Sequence, residues 1–144
     1  MLHGAPTGTI QKLQRVQNNA TRIVLKVPRR FHIKPLLHQL HWLPVQQRIT
    51  YKLAVLTYKV RSTSTPVYLH RRITERACSR TLRSATIPLP DKPFIRTDFS
   101  KCTFRSSALT VWNSLPQTVL ISDSPTVLKS KLKTFLFNQT FTEH

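Results

Sequence analysis

Lys12, Arg15, Arg22 and Lys26, the pair Arg29 and Arg30, then Arg48, Lys52 and Lys59, then Arg80 and Arg83, and finally Lys131 and Lys133 are the residues whose type and spacing can do chemistry. That chemistry is electrostatic. Side chains three, four or seven residues apart share a helix face, and a row of ammonium and guanidinium groups neutralises successive phosphates of a polyanion and releases counterions. Such contacts fix position on a backbone and carry little sequence information. The charge balance agrees: 144 residues hold 23 Lys+Arg against 5 Asp+Glu, a formal net charge of +18. Residues 1–74 contain 13 of those cations and no acid. A domain so charged repels itself, which points to nucleic acid first and an anionic membrane surface second.

Catalysis has little to draw on. Glu75, Asp91, Asp98, Asp123 and Glu143 are the only acids, and a metal-dependent polymerase or nuclease needs two or more that converge. Asp91 and Asp98 are the nearest pair, and in their proline-rich surroundings they read as turn formers or local ion-pair partners. Gly4 and Gly8 are the only glycines, so the body of the chain has no phosphate-cradling loop and no Gly-x-Ser-x-Gly elbow. His38 and His41 can share a helix face, but no third metal ligand follows; His41 with Trp42 reads as a capping or packing pair at a helix end. No enzyme activity, metal or cofactor is expected. Cys78 and Cys102 stand alone without a Cys-x-x-Cys, which excludes a zinc knuckle and suits a reduced, intracellular chain. Met1 to Ile10 lacks the plan of a secretory signal, and no apolar run reaches the ~20 residues of a bilayer span. Phe31, Tyr51 and Tyr58 are able to stack on bases, but their spacing reads as core.

The elements that must position the cations follow from periodicity. After a disordered leader, residues 1–8, Thr9 is an N-cap candidate. Ile10, Leu13, Val16, Ala20, Ile23, Val24 and Val27 then cover an arc of about 140° that seeks a core, until Pro28 stops the helix. Lys12, Arg15, Arg22 and Lys26 fall on the other side. A short helix over about 34–40 ends before Pro44, and a long one over 45–61 carries the apolar stripe Val45, Ile49, Leu53, Leu56 and Val60. Tyr51, Ala54, Val55 and Tyr58 form a second apolar side, so only the sector of Arg48, Lys52 and Lys59 stays exposed. Another short helix is expected over 67–72. Pro88, Pro90 and Pro93 among β-branched and aromatic residues make 73–103 an extended segment, with a loose β-hairpin near 80–103. Helical spacing resumes at Phe104, Ala108, Val111, Trp112 and Leu115, and a last helix starts with Ser124 as N-cap and Pro125 behind it. The expected architecture is mainly α, five to six helices with one extended insert, the C-terminal helices spanning 104–140.

Five words along the chain, LQRVQNNATRIVL, LHQLHWLPVQQRITYKLAVLTYK, SRTLRSA, FRSSALTVWNSLP and LKSKLKTFLF, occur in that order. Together, over residues 11–137, they resemble the C-terminal end of the reverse transcriptase polyprotein of LINE-type (non-LTR) retrotransposons of the Jockey-like group. HWLPV with Arg48 and Lys52, and the LWNSLP-like stretch from Val111 to Pro116, are the most telling. In that family the paired catalytic aspartates lie upstream, in the palm. The resemblance implies a thumb-like region over 9–72 and a post-thumb region, gripping a template–primer duplex or element RNA without polymerase activity. It singles out Arg15, Arg22, Arg48, Lys52, Arg80, Arg83, Lys131 and Lys133 as contacts. It also places the chain in the nucleus or a cytoplasmic ribonucleoprotein. The Cys/His knuckle of some related elements has no counterpart here, and residues 1–8 match no part of the family pattern.

Other readings compete. The apolar faces suit a scaffold module that pairs with an absent palm, a protein partner or itself, and a truncated element copy without a role would look the same. The acid-free, Arg-rich start also has the composition of an organelle transit segment, although that same helix carries the first retroelement word.

Overall fold

The computed structural model describes residues 2–73, 94, 96, 97 and 103–142. Among these the chain is helical, with seven helices and no strand: α1 (Thr7–Leu25), α2 (Ile33–Gln39), α3 (Val45–Thr63), α4 (Val67–His70), α5 (Phe104–Ser114), α6 (Gln117–Leu120) and α7 (Pro125–Thr142). The expected β-hairpin near 80–103 lies almost wholly outside the described residues.

The core is built on α3. Its two apolar sides leave only one sector for solvent, and it packs against α5, α7, α1 and α4. Leu53 and Ala54 of α3, Val111 and Trp112 of α5, and Leu128, Leu132 and Leu136 of α7 form the main cluster with Leu43, Leu115 and Val119. Each leucine so buried contributes about 1.5–3 kcal/mol of transfer free energy. Val60, Leu109 and Ile73 form a second, smaller cluster. Tyr58 packs partly buried against this cluster, its hydroxyl donating to the Ser122 carbonyl at 3.0 Å while its ring lies by Trp112. The expected Ser124 cap is present: its Oγ accepts from the Val127 amide at 3.3 Å, and α7 docks through Leu128, Leu132 and Leu136. Helix α6 was not legible in the periodicity, because a single turn after Pro116 buries only Val119.

Helix α1 departs from expectation in both its bounds and its orientation. It begins at Thr7, inside the stretch read as leader, with Pro6 rather than Thr9 in the cap position; the Pro6 carbonyl accepts from the Thr9 and Ile10 amides. It ends at Leu25, ahead of Pro28. Lys26 turns left-handed (φ 53°), its amide bonds the Ile23 carbonyl and the Val27 amide bonds the Arg22 carbonyl. That paired closure is normally made by glycine.

More consequentially, the predicted core-facing arc faces outward. Val16 is 68% exposed, Ile23 76% and Val24 56%, whereas the buried residues of α1 are Gln17 and Thr21. The reason lies in the chain just before α3. Pro44 cannot donate, and the Leu43 carbonyl and Val45 amide at the start of α3 need partners. Gln17 Nε2 donates to the Leu43 carbonyl at 2.8 Å, and Gln14 Oε1 accepts from the Val45 amide at 2.9 Å. Thr21 satisfies itself within the helix, its hydroxyl donating to the Gln17 carbonyl. A row of uncharged polar side chains therefore clamps α1 onto the α3 entry, and α2 packs beside it through Leu36 and Leu37.

Candidate nucleic-acid interface

On α1, Lys12, Arg15, Arg22 and Lys26 lie about 140° round the helix from the Gln14–Gln17–Thr21 seam, at 100° per residue. The ridge thus points away from the body, with Lys12, Arg15 and Lys26 exposed and Arg22 half-buried. On α3, Arg48, Lys52 and Lys59 occupy the one solvent-facing sector, as the periodicity required. The cations are presented as two ridges rather than one. Arg48 is the link between them: its Nε donates to the same Leu43 carbonyl that Gln17 reaches, at 3.1 Å, and its guanidinium lies 5.7 Å over the Trp42 ring. It therefore holds the α1–α3 junction as well as carrying charge. Asp123 is the sole acid among the described residues and is exposed on the far side of the chain order, between α6 and α7.

The remaining expected contacts divide. Lys131 Nζ donates to the carbonyls of Thr118 and Ile121, at 3.2 and 3.4 Å, so this lysine ties α7 to the C-terminal end of α6. Lysine charge is favourable at such an end, where carbonyls lack intrahelical partners. Lys133 is exposed on α7. Arg80 and Arg83 lie outside the described residues.

What the fold does bring together is the end of α1 and the turn behind it. Residues 27–29 close an open groove of about 640 Å³ over Ile23, with Arg22, Lys26 and Arg29 around it and Asn19 at one end. Arg22 lines the groove while its Nε is buried without a hydrogen-bond partner. Two residues on, the Arg30 guanidinium lies 5.7 Å from the centroid of Phe31, which is 49% exposed. Phe31 was expected in the core and is instead at the surface, because the Pro28 turn, closed by the Phe31 amide on the Pro28 carbonyl, carries it outward. Periodicity had no means of finding this groove, since half of it is an irregular turn.

The two histidines pack on aromatic rings of α7. His38 lies 5.0 and 5.2 Å from the Phe137 and Phe141 rings, and His41 stacks on Phe137 at 5.5 Å. Among the described residues no three His, Cys, Asp or Glu side chains converge as a metal site, and no helix is long and apolar enough to cross a membrane.

No protein-family model, no curated protein and no solved structure matches the chain.

Proposed function

We propose that this chain is a non-catalytic nucleic-acid-binding segment, similar to the C-terminal region of a LINE-type reverse transcriptase, that holds the phosphate backbone of template–primer or element RNA while another polypeptide performs the reaction. The observation that carries this reading is the acid-free first half of the chain, which exposes Lys12, Arg15, Lys26, Arg29, Arg30, Arg48, Lys52 and Lys59 on α1, on the turn behind it and on α3. Buried structural charges would be paired; solvent-facing rows of one sign attract a polyanion. With Lys131 tied to α6, the backbone contacts fall to Lys12, Arg15, Arg22, Lys26, Arg29, Arg30, Lys52, Lys59 and Lys133, with Arg48 shared between junction and ligand, and Arg80 and Arg83 belong to the same proposal. The resemblance and this charge pattern favour a nuclear or ribonucleoprotein setting.

The test is a salt titration of affinity for single-stranded RNA and for duplex DNA. For six or more phosphates neutralised, affinity falls by about 10³ or more between low and moderate salt. Salt-insensitive binding, or none at low salt, overturns the proposal.

A second reading has its own observation. Leu13, Val16, Ile23 and Val24 leave one side of α1 apolar and exposed, the mark of a protein-pairing surface. It predicts an oligomer that persists in strong salt and dissociates on dilution.

A further inference from the structure

We infer that the groove at the C-terminal end of α1 holds one unpaired nucleotide, so that the chain engages single strands in preference to duplex; this rests on the nucleic-acid reading above and adds to it the form of the ligand. Three features converge. Arg22, Lys26 and Arg29 surround the groove, and phosphate is the anion that fits three cations. Its apolar surface comes from Ile23, Val27 and Pro28, which gives a flat hydrophobic base something to lie on that a phosphate cannot use. Its volume of about 640 Å³ is open to solvent along one side, so a polymer strand can lie across it.

Helix-end electrostatics explain part of this and not the rest. The C-terminus of α1 carries roughly half a negative charge, which accounts for nearby cations as simple complements. The Arg22 and Ile23 carbonyls are already bonded by backbone amides, however, and three unit charges exceed the half charge several-fold. Neither effect accounts for Ile23 left 76% exposed among these cations. An unpaired nucleotide answers both the charge and the apolar surface: its phosphate takes the cations around the groove, its base covers the isoleucine, and Asn19 lines the same groove. Phe31, exposed on the next turn with Arg30 on its ring, offers a platform to the neighbouring base. Bases stacked within a duplex reach neither surface.

The experiment measures binding of the full chain, by fluorescence anisotropy, to a short oligo-dT strand, the same strand made fully abasic, and the oligo-dT·oligo-dA duplex. All three carry the same phosphate chemistry. The intact strand is expected to bind about 10-fold more tightly than the abasic strand, the size of one stacked base. Ile23→Ser, an exposed substitution that leaves the core untouched, is expected to bring that ratio close to one without changing the salt slope. Arg29→Gln is expected to weaken both strands and lower the slope by about one phosphate contact. If intact, abasic and duplex ligands bind alike and remain salt-dependent, the groove assignment is wrong while the backbone-binding proposal stands. If none binds at low salt, both fail. If Ile23→Ser alters only self-association, the groove faces protein and the inference is overturned.

Discussion

Lys26 separates stability from function at a single position. Its φ of 53° places it in the left-handed region, where the Cβ of an L-residue meets the following carbonyl oxygen at a cost of about 1–2 kcal/mol. Lys26→Gly removes that strain, and the greater freedom of glycine in the unfolded chain offsets about 0.4–1 kcal/mol of the gain. Lys26→Ala keeps the strain. Both variants lose the ammonium at the helix C-terminus, worth about 0.3–1 kcal/mol, so the informative comparison is between them. Glycine should exceed alanine by about 0.5–1 kcal/mol in urea unfolding followed by helical circular dichroism, with unchanged m, and by about 2 °C in Tm. In nucleic-acid binding the two variants should be equally weakened, each with a salt slope shallower by about one contact. Equal stabilities for Gly and Ala would refute the left-handed closure of α1. A binding defect in Ala that glycine restores would show that Lys26 acts through backbone shape and not through charge.

The orientation of α1 makes further claims. Val16→Gln and Val24→Gln should change stability by no more than about 0.5 kcal/mol, as surface substitutions do, whereas Gln17→Ala should cost about 1–2 kcal/mol by removing a buried donor from the α3 entry. A larger loss at Val16 than at Gln17 would put the helix the other way round. Leu132→Ala, in the α3–α5–α7 core, should cost about 2–5 kcal/mol in the same unfolding assay. Lys131→Gln should leave the salt slope of binding within error of the parent, since its ammonium is engaged by the Thr118 and Ile121 carbonyls; a slope lowered as much as by Lys52→Gln would return Lys131 to the interface.

Long apolar stripes were readable without coordinates. Leu53 and Val60 on α3, Val111 and Trp112 on α5, and Leu128, Leu132 and Leu136 on α7 are buried as their spacing requires, and the solvent sector of α3 follows from what those stripes leave over. Helix α1 was readable as a helix but not in its facing. Hydrophobic periodicity assumes that the most apolar side is the buried one, and here two backbone groups beside Pro44 needed polar partners, which Gln14 and Gln17 supply together with Arg48. The uncharged row Gln14, Gln17, Asn18 and Thr21, set between apolar and cationic arcs, was the available sign, because uncharged polar residues can be buried once bonded and lysines cannot. The cations of the candidate site were visible as a list, yet their division was not. That Arg48 braces a junction, that Lys131 caps a helix end and that Arg22, Lys26 and Arg29 share a groove all depend on turns whose course periodicity does not encode.

Photocrosslinking tests the central claim most directly. A single strand carrying photoreactive thiouridine, bound to the full chain at low salt and irradiated, is digested and its adducts are mapped by mass spectrometry. The account predicts adducts on α1 and on the turn through Phe31, competed by unlabelled single strand and diminished as salt rises. Adducts confined to α7 or to other parts of the chain, with α1 and its turn unlabelled, would contradict it.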